Sequence, residues 1–216
     1  MNESPSFQRA RKPKEIEARR DTLLAAAAEL FDAEGPQGAG LNAIAAKAGF
    51  TKSNVYRYFE SREQVLLELF LSEMDALVPA FCAKIEAVPQ GDVTALAGII
   101  AGEFIARPRL GQLSAILSGT LEANVSEDTI VATKRTMGAQ IARLSEALQE
   151  KFPASSVSDC LWAVSMIGTL VAGMWPGARP SPAAARVLAR EEFAAFRPNI
   201  ERDLKRAAEA LLVSIA

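Results

Sequence analysis

Apolar residues recur at three- and four-residue steps along most of the chain, which is the spacing of amphipathic helices. In the N-terminal part this spacing predicts four helices, at about 14–34, 41–48, 51–58 and from 62 onward. Gly35-Pro36 and Gly49 are stop signals for the first two helices. Ser61 can cap the fourth, in which Pro79 should bend or shorten the helix.

The C-terminal part predicts six more helices, most of them opened by a residue that commonly caps a helix. They run from Asp92 to Ile105, from Pro108 to about Asn124, from Ser126 to about Phe152, from Ser158 to the stop signal Trp175-Pro176-Gly177, from about Ala184 to Phe196 and from Asn199 to Ile215. No segment shows the alternation of a strand, and aromatic residues make up only 6% of the chain. The sequence therefore predicts an all-α fold.

The segment from Leu41 to Phe59, LNAIAAKAGFTKSNVYRYF, has the spacing of a helix-turn-helix. Ala45 stands where two steeply crossing helices would touch, so only a small side chain fits there. Gly49 stands where the turn needs a left-handed backbone. Val55 is one of the apolar residues that would hold the pair against the first helix. The same spacing occurs in ordinary helical pairs, so DNA binding does not follow from it alone.

The outward face of this second helix carries hydrogen-bonding side chains with little apolar content. They are Thr51, Lys52, Ser53, Asn54, Tyr56, Arg57 and Tyr58. A helix with such a face fits the major groove, where Asn54 could pair with adenine and Arg57 with guanine or phosphate. Phosphate contacts suit Thr51, Ser53, Tyr56 and Arg62. A polar face is also typical of plain solvated surface, but plain surface usually carries a Glu/Lys mixture.

The net charge of −2 conceals an uneven distribution along the chain. Residues 1–62 carry ten Lys/Arg against eight Asp/Glu, whereas residues 63–216 carry fourteen against eighteen. The positive surplus therefore coincides with the helix-turn-helix, which favours contact with nucleic acid. The basic, weakly apolar composition of residues 1–13 predicts a flexible arm. This arm either reaches along the DNA or is a solvated tail.

Histidine is absent from the chain, which removes the commonest general base and the commonest metal ligand. Cys82 and Cys160 lack metal-type spacing, and we expect both to be buried thiols. We therefore expect no catalytic residue, no metal site and no cofactor. The sequence contains no uninterrupted run of about 18 apolar residues and no secretory signal, so we expect neither a membrane span nor export.

From Arg20 to Leu69 the chain resembles the tetracycline-repressor (TetR) family. The resemblance rests on LLAAAAELFDAEG in the first helix and on IAxxAG, VYRYF and SREQVL after it. It implies an all-helical homodimer whose first three helices form the DNA-binding domain, with a fourth helix linking them to a regulatory core that holds a small-molecule pocket. The corresponding divisions are an arm at 1–13, a helix-turn-helix domain at 14–61 and a regulatory and dimerisation domain at 62–216.

Carried over by position, the resemblance implies that residues 51–54 and 56–58 face DNA, with Arg62 on phosphate. One departure concerns the start of the second helix, where family members often have Thr or Ser. This chain has Gly38-Ala39-Gly40-Leu41 there, so Asn42 is the candidate to replace that contact.

The helix from Cys160 to Trp175 is apolar nearly all round and must be buried. With the last helix it could form a four-helix dimer interface, as the family does, or it could belong to a monomer core. Seven bulky or adaptable side chains are candidates for the ligand pocket, and each could equally be core packing. They are Phe104, Leu113, Leu117, Met137, Trp162, Met166 and Trp175. We expect an apolar or aromatic effector.

Together these features predict a cytoplasmic, homodimeric transcription regulator. In its simplest form it is a repressor that binds a near-palindromic operator on double-stranded DNA and is released by a small-molecule effector. Activation is not excluded by the sequence. Two other functions remain open, namely a helical enzyme with a carboxylate-based site and a helical interaction module that has lost DNA binding.

Overall fold

The computed structural model describes residues 13–216, and the predicted arm at 1–13 lies, except for Pro13, outside the described residues. This part of the chain is all-α and contains no strand, which confirms the predicted fold class. Its ten α-helices are α1 Pro13–Glu34, α2 Leu41–Ala48, α3 Lys52–Val55, α4 Arg62–Glu86, α5 Val93–Ile105, α6 Pro108–Ile116, α7 Glu127–Gln149, α8 Val157–Ala178, α9 Pro182–Leu188 and α10 Ile200–Val213.

The chain divides into two compact units, one ending at Val65 and the other beginning at Leu66. In the first unit α1 packs against α2, and α2 against α3. Its core consists of side chains that are at most 1% exposed. These are Leu23, Ala27, Phe31, Ala39, Ile44, Val55, Phe59 and Val65.

In the second unit α8 contacts α6, α7 and α10, and α10 also packs against α5. One core cluster joins three of these helices through Trp175 on α8, Ala101 on α5 and Leu204 on α10. Trp175 also lies flat against Gly111 on α6, where a Cβ atom would come within 2.2 Å of the indole. The glycine is therefore what allows α6 and α8 to pack with an indole between them.

Several predicted helix starts are confirmed by hydrogen bonds. The side chains of Asp92 and Ser126 accept the backbone N–H groups of residues three positions later, at 3.0 and 3.3 Å. The prediction that Ser158 opens α8 was wrong, because Ser156 caps it instead. The Ser156 hydroxyl accepts the N–H of Asp159 at 3.1 Å, and the Asp159 carboxylate accepts the N–H of Ser156 at 3.3 Å. This reciprocal capping box fixes the helix start two residues early.

Two prolines lie inside helices. α4 continues past Pro79 to Glu86, and α8 continues past Pro176 to Ala178. The predicted end of α8 at Trp175-Pro176-Gly177 lies one residue before the observed end at Ala178. A proline within a helix removes one backbone hydrogen bond, which at Pro176 is the bond to the carbonyl of Ala172.

Two predicted helices are divided in the structure. The stretch from Pro108 to Asn124 changes after Ile116 into a π-helical turn, Leu117–Leu121, and then a short 3-10 turn, Glu122–Asn124. The stretch predicted at 184–196 consists of α9 and a separate 3-10 turn, Glu191–Phe196. The Arg197 guanidinium donates to three carbonyls at the end of α9, at 2.8–3.2 Å. A side chain that satisfies these carbonyls ends the helix there.

By length and composition alone, α8 is apolar enough to cross a membrane, which differs from the expectation of no such segment. A core helix of a water-soluble protein passes the same test. Only 22% of its most apolar window is buried within the chain. Part of the apolar surface of α8, including Leu161 and Trp162, is therefore exposed in the described part of the chain.

Candidate nucleic-acid interface and ligand cavity

The turn between α2 and α3 has the geometry that its residues predict. Gly49 has φ of 72°, in the left-handed region, and its N–H donates to the carbonyl of Ala46 at 3.3 Å. The N–H of Phe50 donates to the carbonyl of Ala45 at 2.9 Å. Ala45 is itself buried, at 4% exposure. The small residue and the glycine thus stand at the helix contact and at the turn, as a helix-turn-helix requires.

The second helix of the motif is shorter than predicted, since α3 covers only Lys52–Val55. Its course continues as tight turns, in which Arg57 and Tyr58 donate their N–H groups to the carbonyls three residues earlier, at 3.2 and 2.9 Å. Bonds of this spacing wind the chain more tightly than an α-helix. Val55 is completely buried and holds the short helix on the core of the first unit.

Five of the predicted DNA-contacting side chains are exposed together on this segment. They are Thr51, Lys52, Ser53, Tyr56 and Arg57. Within this group the Lys52 ammonium lies 5.7 Å from the ring centroid of Tyr56, and the hydroxyls of Thr51 and Ser53 are 3.2 Å apart. The structure therefore brings a cationic, hydroxyl-rich and aromatic surface to one side of the motif.

The other four predicted contacts are placed differently. Asn42 is exposed in the first turn of α2, and Asn54 is half-buried. The hydroxyl of Tyr58 is buried and has no hydrogen-bond partner among the described residues, so it does not belong to the exposed surface. The Arg62 guanidinium is held by the Glu63 carboxylate at 2.6 Å, which neutralises its charge. Access to phosphate would require this pair to open.

Backbone amides add to the polar surface. Gly40 precedes α2 without a side-chain cap, and no side-chain cap bond forms at Thr51 before α3. Uncapped N–H groups at the start of a helix favour anions such as phosphate. The exposed surface can therefore offer donors to both base edges and the DNA backbone.

The second unit contains a cavity of about 390 Å³. Its lining comes from α4, α5, α6, the π-helical turn, α7 and α8. Most of the buried lining side chains are apolar, including Ile100, Leu110 and Leu144. The volume falls in the range of small-molecule sites, which is about 300–1,000 Å³.

Of the seven predicted pocket residues, Phe104, Leu117 and Met137 line this cavity. The other four do not. Leu113 and Trp175 are instead buried in helix packing, at 0% and 4% exposure, and Trp162 is 46% exposed. Met166 is half-buried. Side-chain size alone cannot separate these environments, because a bulky apolar group suits a core, a cavity wall or an exposed interface.

The prediction missed the contribution of α4. Phe70, Met74, Leu77 and Phe81 line the cavity along one face of that helix. Their three- and four-residue spacing is visible in the sequence and predicts a buried stripe. It does not say whether the stripe faces a neighbouring helix or an empty space.

Charged groups adjoin the cavity at two places. Glu103 lines it and is 2% exposed, and its carboxylate pairs with Lys84 and Arg107. Lys134 also lines it, and its ammonium lies 2.6 Å from the Glu122 carboxylate. Each carboxylate therefore has at least one cationic partner, as buried charges require.

The two cysteines have different surroundings. Cys160 is completely buried, whereas Cys82 is half-buried. Burial raises the pKa of the Cys160 thiol, and the neighbouring charge of Asp159 adds to this effect. Among the described residues no cluster of three metal-ligating side chains occurs.

Two family descriptions together account for most of the chain. Residues 23–69 match the bacterial regulatory proteins of the tetR family, and residues 71–213 match the tetracyclin repressor-like C-terminal domain. No curated protein sequence matches the chain.

Solved structures share the fold at low sequence identity. The fatty acid degradation regulator FadR from Bacillus halodurans is 19% identical, with 90% of this chain and 94% of that chain covered and a TM-score of 0.53. FadR from Bacillus subtilis in complex with stearoyl-CoA is 15% identical, with 91% and 98% covered and a TM-score of 0.56. The repressor AlkX from Dietzia sp. is 16% identical, with 91% and 94% covered and a TM-score of 0.55.

These likenesses agree with the exposed helix-turn-helix surface and the helical second unit that contains the cavity. Regulators of this family are transcription factors that bind DNA operators, typically as repressors that respond to ligands. The chain belongs to the TetR family of bacterial transcriptional regulators.

Proposed function

We propose that this chain is a homodimeric repressor that binds a near-palindromic operator and is released from it by a small apolar effector. The observation that carries the proposal is the exposed polar surface of residues 51–57, which the buried Val55 anchors to the first unit. In this proposal residues 14–61 form the DNA-binding domain and residues 62–216 the regulatory and dimerisation domain, and the protein acts in the cytoplasm.

Base reading would depend mainly on Arg57. Its guanidinium has no ion pair or hydrogen bond within the described part of the chain, so its donors are available to guanine or phosphate. Asn54 is half-buried and is a candidate for adenine. Thr51, Ser53 and Tyr56 supply hydroxyls for phosphate oxygens, which fix the position of the helix without reading sequence.

A dimer would explain the exposed apolar side chains of the second unit. Leu161 and Trp162 on α8 are 43% and 46% exposed, and Val213 on α10 is 63% exposed. α8 and α10 pack against each other, so a second copy could cover both helices with one self-complementary patch. Two recognition helices on one dimer would read two half-sites, which compensates for the small contact that each makes alone.

The cavity supports ligand control through α4. This helix begins before Val65, the end of the first unit, and its later turns carry Phe70, Met74, Leu77 and Phe81 into the cavity wall. A ligand that binds better to one position of α4 would shift the protein toward that position, with an effect on DNA affinity of about 1–3 kcal/mol. The stearoyl-CoA held by Bacillus subtilis FadR supports a ligand with a long apolar portion.

The DNA surface is tested with the DNA that flanks the gene of this chain. Gel shifts against excess unrelated DNA should show specific retardation by the wild type. Arg57→Ala should weaken it by about 1–3 kcal/mol, the value of one bidentate base contact, and Tyr56→Ala should also weaken it. Arg143→Ala is the matched control, because Arg143 is an exposed arginine on α7. Only nonspecific, salt-labile binding by the wild type would contradict the proposal and favour an interaction module.

The dimer is tested by sedimentation of the full chain. Leu161→Glu together with Trp162→Glu should convert the dimer to a monomer and abolish operator binding. Val131→Glu is the control, since Val131 is similarly exposed, at 44%, but lies on α7. A wild-type monomer that still binds the operator specifically would contradict the proposed assembly.

A further inference from the structure

The cavity has two chemically different ends. The lining side chains with the least exposure are apolar, apart from Glu103. The lining residues that are exposed to solvent are Ser118, Lys134, Gly168 and Thr169. The mouth of the cavity is therefore polar and the interior is apolar, which is the arrangement that an amphipathic molecule fits when its apolar part enters first.

Two charged side chains line the cavity among the described residues, the buried Glu103 and the exposed Lys134. The Glu103 carboxylate is already paired with Lys84 and Arg107, whereas Lys134 has one partner, Glu122. Because the cation is exposed and the lining carboxylate is buried and paired twice, an anionic head group is favoured at Lys134 and an ammonium group is disfavoured there.

The mouth also carries hydrogen-bond donors that the described part of the chain does not fully use. The Lys134 ammonium has three N–H donors, and Glu122, at 2.6 Å, is its one ion-pair partner in the described part of the chain. Neither the Ser118 hydroxyl nor the Ser165 hydroxyl has a hydrogen-bond partner there. These groups can serve a ligand carboxylate, whose two oxygens accept several hydrogen bonds.

The backbone at the mouth is irregular. Leu117 and Ser118, both in the lining, belong to the π-helical turn that interrupts the helix after Ile116. Ile116 itself has φ of −110° and ψ of 0°, away from ordinary helical values. Single π-helical turns are frequent at functional sites, and here the turn coincides with the polar end of the cavity.

We propose that the effector is an amphipathic monocarboxylate whose aliphatic portion lies against Phe70, Met74 and Leu77 and whose carboxylate lies at Lys134 and Ser118. This inference rests on the proposed role of the cavity as the effector site. The inference adds to that role the chemical identity of the head group, its negative charge and the residue that selects it, Lys134.

The test compares ligands that have the same alkyl length but different head groups. Binding of octanoate, dodecanoate and hexadecanoate to the full-length protein is measured by isothermal titration calorimetry, below micelle formation, beside the matching alcohols and primary amines. The wild type should bind a carboxylate at least about tenfold more tightly than the alcohol of the same length, as a charge-assisted hydrogen bond provides. The amine should bind most weakly.

Two variants assign the preference to Lys134. Lys134→Met should abolish the preference, so that the carboxylate and the alcohol of the same length bind with similar affinity. Glu122→Gln should increase carboxylate affinity, because it removes the competing acceptor. Arg135→Met is the control, since Arg135 is the next residue of α7, is exposed and does not line the cavity.

Three results would overturn the inference. Equal binding of acids and alcohols, or tightest binding of amines, would refute the head group while leaving the cavity as the effector site. A carboxylate preference that survives in Lys134→Met would refute the role of that residue. If none of these acids, alcohols and amines binds to a protein that still retards its operator, both the inference and the proposed effector site are refuted.

Discussion

Gly111→Ala is a substitution whose cost follows directly from one contact. A Cβ atom at Gly111 would lie 2.2 Å from Cδ2 of Trp175 and 2.3 Å from its Cε3, far inside the optimal carbon–carbon separation of about 3.5–4.0 Å. The indole has little room to withdraw, because Trp175 is 4% exposed and packs against Val171 and Leu204. Accommodation requires α6 and α8 to separate or Trp175 to leave its rotamer.

Two opposing effects decide the magnitude. Overpacking of a buried contact costs about 1–3 kcal/mol, whereas replacing glycine by alanine within a helix gains about 0.5–1 kcal/mol. The overlap at Gly111 is with the body of a buried ring, so the steric cost dominates. We expect the free energy of unfolding to fall by about 1–2 kcal/mol.

Urea unfolding followed by circular dichroism, at one fixed protein concentration, measures this change. Gly138→Ala is the matched control, because Gly138 lies within α7 and a Cβ atom there would meet nothing within 4 Å. The control should stabilise the protein by up to about 1 kcal/mol, so the two variants should shift the midpoint in opposite directions. A Gly111→Ala protein as stable as the wild type would refute the packing argument.

A double-mutant cycle isolates the contact itself. Trp175→Leu removes the ring that the new Cβ atom would meet, at its own cost in buried apolar surface. The destabilisation caused by Gly111→Ala should then shrink or change sign in the Trp175→Leu background. An equal cost in both backgrounds would show that some other feature of Gly111, and not the indole, is responsible.

Three further predictions concern single side chains. In the native protein, alkylation at rising pH should modify Cys82 well before Cys160, whose buried thiol has a raised pKa and forms little thiolate; mass spectrometry showing equal labelling would contradict this. Ser156→Ala should lower the free energy of unfolding by about 0.5–2 kcal/mol while Ser158→Ala changes it little, because only the first hydroxyl caps α8; a larger effect at Ser158 in urea titrations would reverse the assignment. Glu103→Gln should cost about 1–3 kcal/mol in the same assay, because it leaves two cationic side chains without their buried carboxylate partner, and an unchanged midpoint would show that the ion pairs contribute nothing.

Features that depend on a few consecutive residues could be read from the chain alone. The start of α5 at Asp92, the start of α7 after Ser126 and the left-handed turn at Gly49 are examples. In each case the deciding hydrogen bond or backbone conformation lies within three or four residues. The misplaced start of α8 is an error of the same local kind, since Asp159 stands three residues after Ser156 and could have marked the capping box.

The candidate DNA surface was largely predictable, and its exceptions were not. Thr51, Lys52 and Arg57 follow from the helical period that places Val55 inside. The buried hydroxyl of Tyr58 does not follow from it, because the regular helix gives way to tighter turns at this point.

The sequence by itself determined the all-α class, the helix-turn-helix and its polar face, because helical periodicity, turn residues and caps act over one or two turns of chain. Only the tertiary structure decided which bulky side chains line the cavity, since Phe104 and Leu113 are both apolar but Phe104 lines the cavity while Leu113 is completely buried in helix packing. A cavity is the space that several helices leave between them. Its wall, its polar mouth at Lys134 and the ion pairs beside it therefore depend on how segments distant in sequence pack together.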